Sequence, residues 1–460
     1  MKKTSLHFNG KRAFFRYAFL VAGDLGAIGL VLAGCAGAPQ LAEPPNSASG
    51  QTDVSSYQWI QLGADGAAEI RTVSEGAACP TFHSADGAAL ILRPRAPADG
   101  KFPLVCFAPL PKGARAANSF SVRLPAVNPV PERIVVLGDT GCRLKGAAIQ
   151  NCNNPKDWPF ANVAAAAARL KPDLVIHLGD YQYRESPCPP ANPGCAGTPY
   201  GDNWPAWKAD FFAPAAPLLA AAPWVFVRGN HETCDRSGAG YLKMLGPLAY
   251  APDCVDHQAP YRVPLGDFSL MVMDDADADD FAVNPAHVPV YQAELEDAVK
   301  PSQMPVWLVL HRPIWAASTG PLGIPAGGNA QIIAAAEKTM LTRPVSLMLA
   351  GHLHTFEAIN YARGQVEGTP PPQIVAGNGG DALLVTPANL KGAAFQGHSG
   401  VAVKDGLSVG GFGFLLMTKS ATGWTIDLYD AAGTAEGQCL FTSASDRLDC
   451  PKLPASRAAN

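Results

Sequence analysis

Five short segments of this sequence carry residues that can bind a metal ion or transfer a proton. They are Gly138-Asp139-Thr140-Gly141, Gly179-Asp180-Tyr181-Gln182-Tyr183, Gly229-Asn230-His231-Glu232, His311 and Gly351-His352-Leu353-His354. A single Gly-Asp pair is typical of a turn, and a single histidine is more often structural than a ligand. Each of these segments, however, directly follows a strand-like apolar run. This recurrence favours one composite site over five unrelated turns.

The residue types suit a pair of cations. Two cations that lie close together repel each other, so a carboxylate has to bridge them while imidazole and other ligands complete each shell. Asp139 and Asp180 supply the negative charge, and the neighbouring glycines let the loop backbone turn sharply and approach the ions. Water held between two metal ions becomes acidic enough to yield hydroxide at mild pH, and the cations offset charge on phosphoryl oxygens. The pattern therefore indicates metal-dependent hydrolysis of a phosphoester.

Buried strands must position these segments. The apolar runs that precede them are residues 134–137, 174–178, 224–227, 306–310 and 345–349. Continuous apolar runs of this length suit strands that are buried on both faces. An alanine-rich helix is predicted over residues 162–170, and a closing hairpin over the runs near 411–417 and 424–429. We therefore expect an α/β fold with its ligands collected at the carboxyl ends of strands.

The first 34 residues are predicted to be a signal peptide of the lipoprotein type. Five basic residues precede an apolar run over 17–33, which ends in Leu32-Ala33-Gly34-Cys35 and resembles a bacterial lipobox, although Asp24 departs from that pattern. Cys35 is the predicted lipidation site. Residues 35–55, rich in Pro, Ser, Ala and Gly, are predicted to be a flexible tether. The expected location is periplasmic, or anchored to the outer membrane by the N-terminal lipid alone.

Composition limits the partners of the folded part. The chain has 460 residues, of which 48% are hydrophobic and 16% charged, with a formal net charge of -4. There is no basic footprint that would favour nucleic-acid binding. We expect a small β-rich domain over 56–125, a catalytic domain over 132–435 and a C-terminal tail over 436–460 that carries Cys439 and Cys450. The oligomeric state is not predicted.

The cysteine count agrees with export. Eleven cysteines minus Cys35 leave ten, an even number that suits five disulfides in an oxidising compartment. Four pairs are close in sequence and Cys79 with Cys106 would complete the set, although connectivity is not fixed by sequence. The four are Cys142 with Cys152, Cys188 with Cys195, Cys234 with Cys254 and Cys439 with Cys450. No pair has the spacing of a zinc site, so structural bridges are favoured.

The order and spacing of the five segments resemble the calcineurin-like metallophosphoesterase superfamily, specifically its purple acid phosphatase branch. The resemblance covers residues 134–357. In that branch the motifs read GDxG, GDxxY, GNH followed by Glu or Asp, a lone His after a strand, and GHxH. Other members usually have a histidine ligand where Gly141 stands, and Tyr183 takes its place here. The implied fold is a β-sandwich flanked by helices in α/β/β/α layers, preceded by the small β-rich domain.

The resemblance also assigns roles. It implies that Asp139, Tyr183 and His354 bind a first metal, Fe(III), for which a phenolate is a suitable hard ligand. Asp180 would bridge to a second ion, Fe, Zn or Mn(II), held by Asn230, His311 and His352. His231 would contact the substrate phosphate and act as an acid towards the leaving group. Glu232, as the group that orients His231, and Glu357 would support these ligands.

The activity expected from this resemblance is that of an acid phosphatase that acts on a small phosphoester through a metal-bridging hydroxide. One alternative keeps the site but hydrolyses phosphodiesters or nucleotides. Another is a surface lipoprotein that binds metal without turnover, which would be favoured by a missing ligand or a missing His231. All of these residues are present.

Several further residues have competing interpretations. His177 is expected in the core. Tyr181 could compete with Tyr183 for the metal, but the resemblance favours Tyr183, which alone of the two has the spacing of the family motif. The acidic run Asp274, Asp275, Asp277, Asp279 and Asp280 lacks the glycine and distal glutamate of a calcium loop, and a solvated loop is expected. Candidates to grip the substrate are Arg184, Arg228, Arg236 and His398, and the sequence does not distinguish them.

Overall fold

The computed structural model describes residues 57–83, 89–110, 124–316, 318–319, 325–326, 328–337, 339, 341–363, 369–385, 387, 389–391 and 401–453. The predicted signal peptide, the lipidation site Cys35 and the tether lie outside these residues, as does His398. Within the described ranges, no helix is both long and apolar enough to cross a membrane.

The strands of the described chain are distributed along its whole length. They are β1 (Tyr57–Leu62), β2 (Ala68–Ser74), β3 (Thr81–His83), β4 (Ala89–Ile91), β5 (Arg93–Ala96), β6 (Leu104–Pro109), β7 (Arg133–Leu137), β8 (Leu144–Lys145), β9 (Ala148–Ile149), β10 (Leu174–His177), β11 (Trp224–Phe226), β12 (Tyr261–Pro264), β13 (Ser269–Val272), β14 (Val306–Val309), β15 (Ser318–Thr319), β16 (Pro325–Ala326), β17 (Val345–Ala350), β18 (Phe356–Arg363), β19 (Gln373–Ala376), β20 (Val401–Val409), β21 (Gly413–Ser420), β22 (Gly423–Asp430), β23 (Ala435–Thr442) and β24 (Arg447–Lys452).

The helices are short and lie between the strands. They are α1 (Phe160–Arg169), α2 (Trp204–Trp207), α3 (Ala213–Leu219), α4 (Gly238–Met244), α5 (Val288–Ala298) and α6 (Ala330–Ala336), with the helical turns Ala64–Gly66, Lys208–Phe212 and Asn230–Glu232. The alanine-rich helix predicted over 162–170 is α1. Its valine and several alanines are buried, whereas the polar residues face outward.

Two large sheets form the centre of the fold. One has 11 strands in the order β24-β23-β22-β21-β7-β10-β11-β1-β2-β6-β5, and the other has seven in the order β12-β13-β14-β17-β19-β18-β20. The neighbours β7, β10 and β11 are parallel in the first sheet, and β13, β14, β17 and β19 are parallel in the second. All five of the predicted apolar runs are strands of these two parallel blocks.

Apolar side chains from both sheets form a shared core. Trp307 of the second sheet and Trp424 of the first are both buried, and their ring centroids lie 5.2 Å apart. A separate apolar cluster packs the outer face of the first sheet against α1 and α3, and another packs the second sheet against α5 and α6. The predicted α/β/β/α layers are therefore confirmed.

The N-terminal segment is β-rich, as predicted, and its strands continue the large sheet. β1 pairs in parallel with β11, and β2, β6 and β5 follow it outward. Buried Arg71 of β2 donates hydrogen bonds to the backbone oxygens of Met244 (2.7 Å) and Gly246 (2.9 Å). The boundary near residue 125 thus separates two stretches of sequence that share one sheet.

The C-terminal residues extend the opposite edge of the same sheet. The predicted hairpin is β21 and β22, and the predicted tail contains β23 and β24, which pair with each other. A disulfide between Cys439 and Cys450 joins these last two strands. The other four cysteine pairs considered from sequence spacing are also bonded in the structure.

Candidate metal centre

The five sequence segments meet where the parallel strands end. The segments of Asp139, Asp180 and Asn230 follow β7, β10 and β11 of the first sheet. Those of His311 and His352 follow β14 and β17 of the second sheet. The carboxyl ends of parallel strands lie at the same edge of a sheet, so each sheet contributes its loops to one place.

Unusual backbone conformations mark this place. Asp139, Asp180 and His352 all have positive φ, at 56°, 59° and 68°. Residues other than glycine seldom adopt this region, and those that do cluster at functional sites. Each of the three is a metal ligand predicted from sequence. The loops therefore hold these side chains in conformations that isolated turns would not favour.

Gly141 makes room for Tyr183. A Cβ atom at Gly141 would lie 2.8 Å from Cδ2 of the Tyr183 ring and 2.8 Å from a carboxylate oxygen of Asp210. Such contacts are too short for any larger residue. The exchange of a histidine at this position for a tyrosine in the next segment, inferred from the sequence pattern, thus has a steric basis.

Asp139, Tyr183 and His354 form the first donor group. Tyr183 Oη lies 3.0 Å from Asp139 Oδ1 and 3.0 Å from His354 Nε2. All three side chains are buried. Burial and the carboxylates of Asp139 and Asp180 raise the pKa of Tyr183 well above its usual value. A phenolate here therefore requires a cation beside it.

Asn230, His311 and His352 form the second donor group. His311 Nε2 lies 2.9 Å from Asn230 Oδ1, and the ligand atoms of His311, His352 and Asp180 all lie within 4.8 Å of one another. Burial lowers the pKa of His311, but Asp180 outweighs that effect and raises the pKa to about 10. The surroundings of this imidazole thus favour positive charge.

Asp180 connects the two donor groups. Its Oδ2 lies 2.7 Å from Tyr183 Oη and 3.2 Å from His311 Nε2. Its Oδ1 accepts a hydrogen bond of 2.8 Å from the backbone N–H of His231. One carboxylate oxygen is therefore shared between the groups while the other is fixed by the backbone.

In two of the histidines, the ring nitrogen that faces away from the donor groups is hydrogen-bonded to a backbone oxygen. His354 Nδ1 lies 2.7 Å from the backbone oxygen of Ala382, and His311 Nδ1 lies 2.7 Å from that of Leu178. A carbonyl oxygen only accepts, so each Nδ1 carries a proton, and Nε2 is the ring atom of each histidine that could bind a metal ion once it is deprotonated. Both Nε2 atoms face the donor groups. The donor set thus fits two metal ions.

His231 lies beside the two groups with its own partners. Its ring packs on that of Tyr183 with a centroid distance of 3.7 Å. Its Nδ1 lies 2.6 Å from Glu185 Oε1, and Arg236 contacts both the imidazole and Glu185. Burial lowers the pKa of His231 to about 3, although Asp180 and Glu185 favour its charged form. The ring is therefore neutral in the absence of a further anion.

The carboxylate of Glu232 lies against backbone N–H groups of the second and third segments rather than against the His231 ring. Its carboxylate accepts hydrogen bonds from the backbone N–H groups of Gly229, Asp180, Tyr181 and Gln182, at 3.0, 3.0, 2.9 and 3.3 Å. Glu232 therefore orders the second loop, because a buried carboxylate must be matched by donors. The carboxylate that contacts the His231 ring belongs to Glu185. Glu357, the other predicted supporting residue, lies buried in β18.

The acidic run after β13 is not a solvated loop. Asp275 is fully buried and accepts hydrogen bonds from the backbone N–H groups of His311 and Arg312, both 3.0 Å long. Asp274 is 7% exposed. Asp280 Oδ2 lies 2.9 Å from His352 Nε2. The expectation failed because the sequence does not show that this run passes beside β14 and β17.

The structure separates the remaining candidates. Tyr181 donates a hydrogen bond of 2.6 Å to the backbone oxygen of Val227, and His177 is buried against the Tyr181 ring. Arg184 pairs with buried Asp210, and Arg228 pairs with Asp274 in the interior. These four residues therefore bond within the interior of the fold, whereas Arg236 contacts His231.

An ion pair that was not predicted from the sequence lies beside the first donor group. Asp381 is fully buried, pairs with Arg143, and places Oδ2 3.5 Å from His354 Nε2. The guanidinium of Arg143 lies 4.9 Å from the centre of the Tyr183 ring. The signal was present in the glycine-rich turn 377–380 that precedes Asp381. A Cβ at Gly377 would lie 2.7 Å from Asp139 Oδ2, so this turn packs on the first segment.

Residues 132–356 match the protein family described as calcineurin-like phosphoesterase. This stretch is a calcineurin-like phosphoesterase domain, and the resemblance to that superfamily drawn from the five segments is confirmed. The domain is that of a hydrolase acting on phosphoric ester bonds. The match covers all seven predicted metal ligands and His231.

Solved structures share the fold. The chain is similar to a purple acid phosphatase from yellow lupin (Lupinus luteus) seeds, with a TM-score of 0.51 and 14% identity over 83% of this chain and 73% of that one. It is also similar to PhoD, with a TM-score of 0.52 and 14% identity over 90% of this chain and 94% of that one. No curated protein matches the sequence.

Proposed function

We propose that this protein is a metal-dependent phosphatase with a dinuclear centre of the purple acid phosphatase kind. The observation that carries the proposal is the position of Asp180, whose Oδ2 lies within 3.2 Å of a donor in each group. A carboxylate shared by two sets of metal-binding side chains is the arrangement that two neighbouring cations require.

Asp139, Tyr183 and His354 would hold the first ion, and Asn230, His311 and His352 the second, with Asp180 between them. The phenolate of Tyr183 favours Fe(III) in the first position, and Fe, Zn or Mn(II) suits the nitrogen and amide ligands of the second. When bound, the metal pair supplies an acidified water as nucleophile and positive charge opposite the phosphoryl oxygens.

The protein side chains beside the metal positions would bind the phosphoryl group and protonate the leaving oxygen. His231 lies at the edge of both donor groups, where its imidazole can contact a phosphoryl group. A phosphoryl anion beside the ring favours the protonated imidazole and so opposes the effect of burial. Glu185 accepts from Nδ1 and fixes the ring orientation. His231 can then donate a proton to the leaving oxygen, with Arg236 holding Glu185 in place.

Hydrolysis of 4-nitrophenyl phosphate and of its bis-ester, measured before and after metal removal, tests this proposal. Removal of metal should abolish hydrolysis of the monoester, and His231→Ala should lower kcat by about 100- to 10,000-fold while metal content is kept. Preference for the bis-ester would instead indicate a phosphodiesterase. Retained metal without turnover of either ester would indicate a binding protein and contradict the proposal.

We also propose that the protein is exported and lipidated at Cys35. The five disulfides among the described residues support an oxidising location. Labelling with a radioactive fatty acid should mark the wild-type protein and leave Cys35→Ser unmarked. Equal labelling of both proteins, or of neither, would contradict lipidation at this residue.

A further inference from the structure

The acidic run after β13 contains one side chain that faces the second donor group. Asp280 Oδ2 lies 2.9 Å from His352 Nε2 and also pairs with Arg312. Its other oxygen, Oδ1, accepts a hydrogen bond of 3.0 Å from the side chain of Asn329. Three different segments of the chain thus converge on this carboxylate.

The partners of Asp280 are themselves fixed. Asn329 is fully buried, donates also to the backbone oxygen of Ala278 at 3.1 Å, and caps the first turn of α6 by accepting from Ile332 at 2.8 Å. The backbone N–H of Arg312 is held by Asp275 at 3.0 Å. The carboxylate of Asp280 therefore has little freedom to move away from His352.

Asp280 contacts His352 but lies outside the cluster of potential ligand atoms found among the described residues. The ligand atoms of Asp180, His311 and His352 lie within 4.8 Å of one another, and among the described residues this set does not include Asp280. Asp280 Oδ2 lies closer to His352 Nε2 (2.9 Å) than Arg312 Nη1 does (3.5 Å), and a carboxylate only accepts. We therefore assign the proton of His352 to Nε2, which leaves the lone pair on Nδ1. Nδ1 is then the atom left for a metal ion.

We propose that Asp280, held by Arg312 and Asn329, is a positioning residue that fixes the tautomer and orientation of His352 and thereby sets the affinity of the second metal position. A histidine ligand whose other ring N–H is held by a carboxylate is a better donor and loses less entropy on binding. This inference rests on the proposed dinuclear site. It adds a residue outside all five sequence segments.

Metal affinity, rather than activity, tests the role of Asp280. The wild-type protein and Asp280→Asn are equilibrated with a divalent ion against graded chelator, and bound metal is measured by elemental analysis. Asp280→Asn should weaken binding of the second ion by about 10- to 100-fold and leave the more tightly held ion in place. Asp280→Glu, which keeps the charge but displaces it, should give an intermediate loss.

Asp277→Asn is the matched control. Asp277 belongs to the same acidic run, but its partners are Tyr291, His257 and His287. This variant should lower thermal stability without changing metal affinity. Thermal unfolding of each metal-free variant separates a folding defect from a binding defect. Wild-type affinity in Asp280→Asn, or an equal loss in Asp277→Asn, would overturn the proposal.

Failure of the positioning role of Asp280 can be distinguished from failure of the proposed phosphatase function. A wild-type protein that binds two ions but hydrolyses no phosphoester would refute the phosphatase proposal, while the affinity loss in Asp280→Asn would still support the positioning role. An active wild-type protein with unchanged metal affinity in Asp280→Asn would refute the positioning role alone.

Discussion

The phenol oxygen of Tyr183 lies within 3.0 Å of Asp139, Asp180 and His354. Burial and two carboxylates keep this phenol protonated unless a cation is bound, so its ionisation reports directly on the first donor group. The chemistry of the site can therefore be tested one residue at a time.

Tyr183→Phe should lose the broad visible absorption band expected of tyrosinate bound to Fe(III), because the phenolate is gone while the ring still packs on His231. Visible spectra and iron content of the purified proteins measure this. Tyr181→Phe is the control, since its hydroxyl bonds only backbone oxygens. It should keep the band and lose about 1 kcal/mol of stability. An unchanged spectrum in Tyr183→Phe would refute iron ligation by this residue.

Glu232→Ala should lower the free energy of unfolding by on the order of 3 kcal/mol, because it leaves buried backbone N–H groups of two loops without an acceptor. Denaturant titration of the metal-free proteins measures the effect. The side chain of Glu185 is 17% exposed. Glu185→Gln should therefore lower the free energy of unfolding less than Glu232→Ala does, and should lower kcat. A larger loss of unfolding free energy in Glu185→Gln than in Glu232→Ala would contradict the structural role assigned to Glu232.

Elements that follow from periodicity were predictable from sequence. The apolar runs before Asp139, Asp180 and His352 correspond to β7, β10 and β17, because strands buried on both faces need continuous apolar residues. Tyr183 and its partner Gly141 were identified through the resemblance of their two motifs to those of the purple acid phosphatase branch. Such features depend on neighbours along the chain, which a sequence displays directly.

Features that depend on distant neighbours were not predictable. Asp280 reads as one residue of a solvated acidic run, and only the packing of β13 beside β14 brings that run to His352. Glu232 follows His231 in sequence, yet its carboxylate points to the backbone of another loop. Polar side chains in loops satisfy whichever partner the fold brings near, so their contacts could not be read from spacing.

The imidazole of His257 joins α5 to the loops beside that helix. Glu294 of α5 lies 2.7 Å from His257 Nε2, and Asp277 lies 3.6 Å from His257 Nδ1. Burial lowers the pKa of His257, but these carboxylates outweigh burial and raise the pKa to about 10. A folded-state pKa above the unfolded value of 6.5 stabilises the fold below pH 6.5, and this contribution is lost as pH rises towards 10.

His257→Gln should therefore cost more stability at pH 6 than at pH 10. Denaturant unfolding at the two pH values gives the free-energy difference between variant and wild type. His287→Gln is the control. The side chain of His287 is 43% exposed, and of Asp277 and Glu294 it contacts only Asp277. A cost that is equal at both pH values would show that His257 is uncharged in the folded protein.

At the scale of the whole molecule, the N-terminal strands complete the 11-stranded sheet, which carries the loops of Asp139, Asp180 and Asn230. β1 pairs with β11, and buried Trp59 packs on Phe212 with ring centroids 5.3 Å apart. A protein truncated to residues 126–460 should expose this surface and lose cooperative unfolding, whereas one that starts at residue 56 should unfold in a single transition. Calorimetry of both proteins tests this. A cooperative transition in the shorter protein would show that residues 57–110 fold separately.

We infer that the two donor groups joined by Asp180 act as one hydrolytic centre. The most direct measurement titrates metal-free protein with metal ions and follows bound metal and hydrolysis of 4-nitrophenyl phosphate together. Hydrolysis should appear only as occupancy approaches two ions per chain, and Asp180→Asn should abolish it. Full hydrolysis by metal-free protein, by protein with one ion, or by Asp180→Asn would contradict the claim.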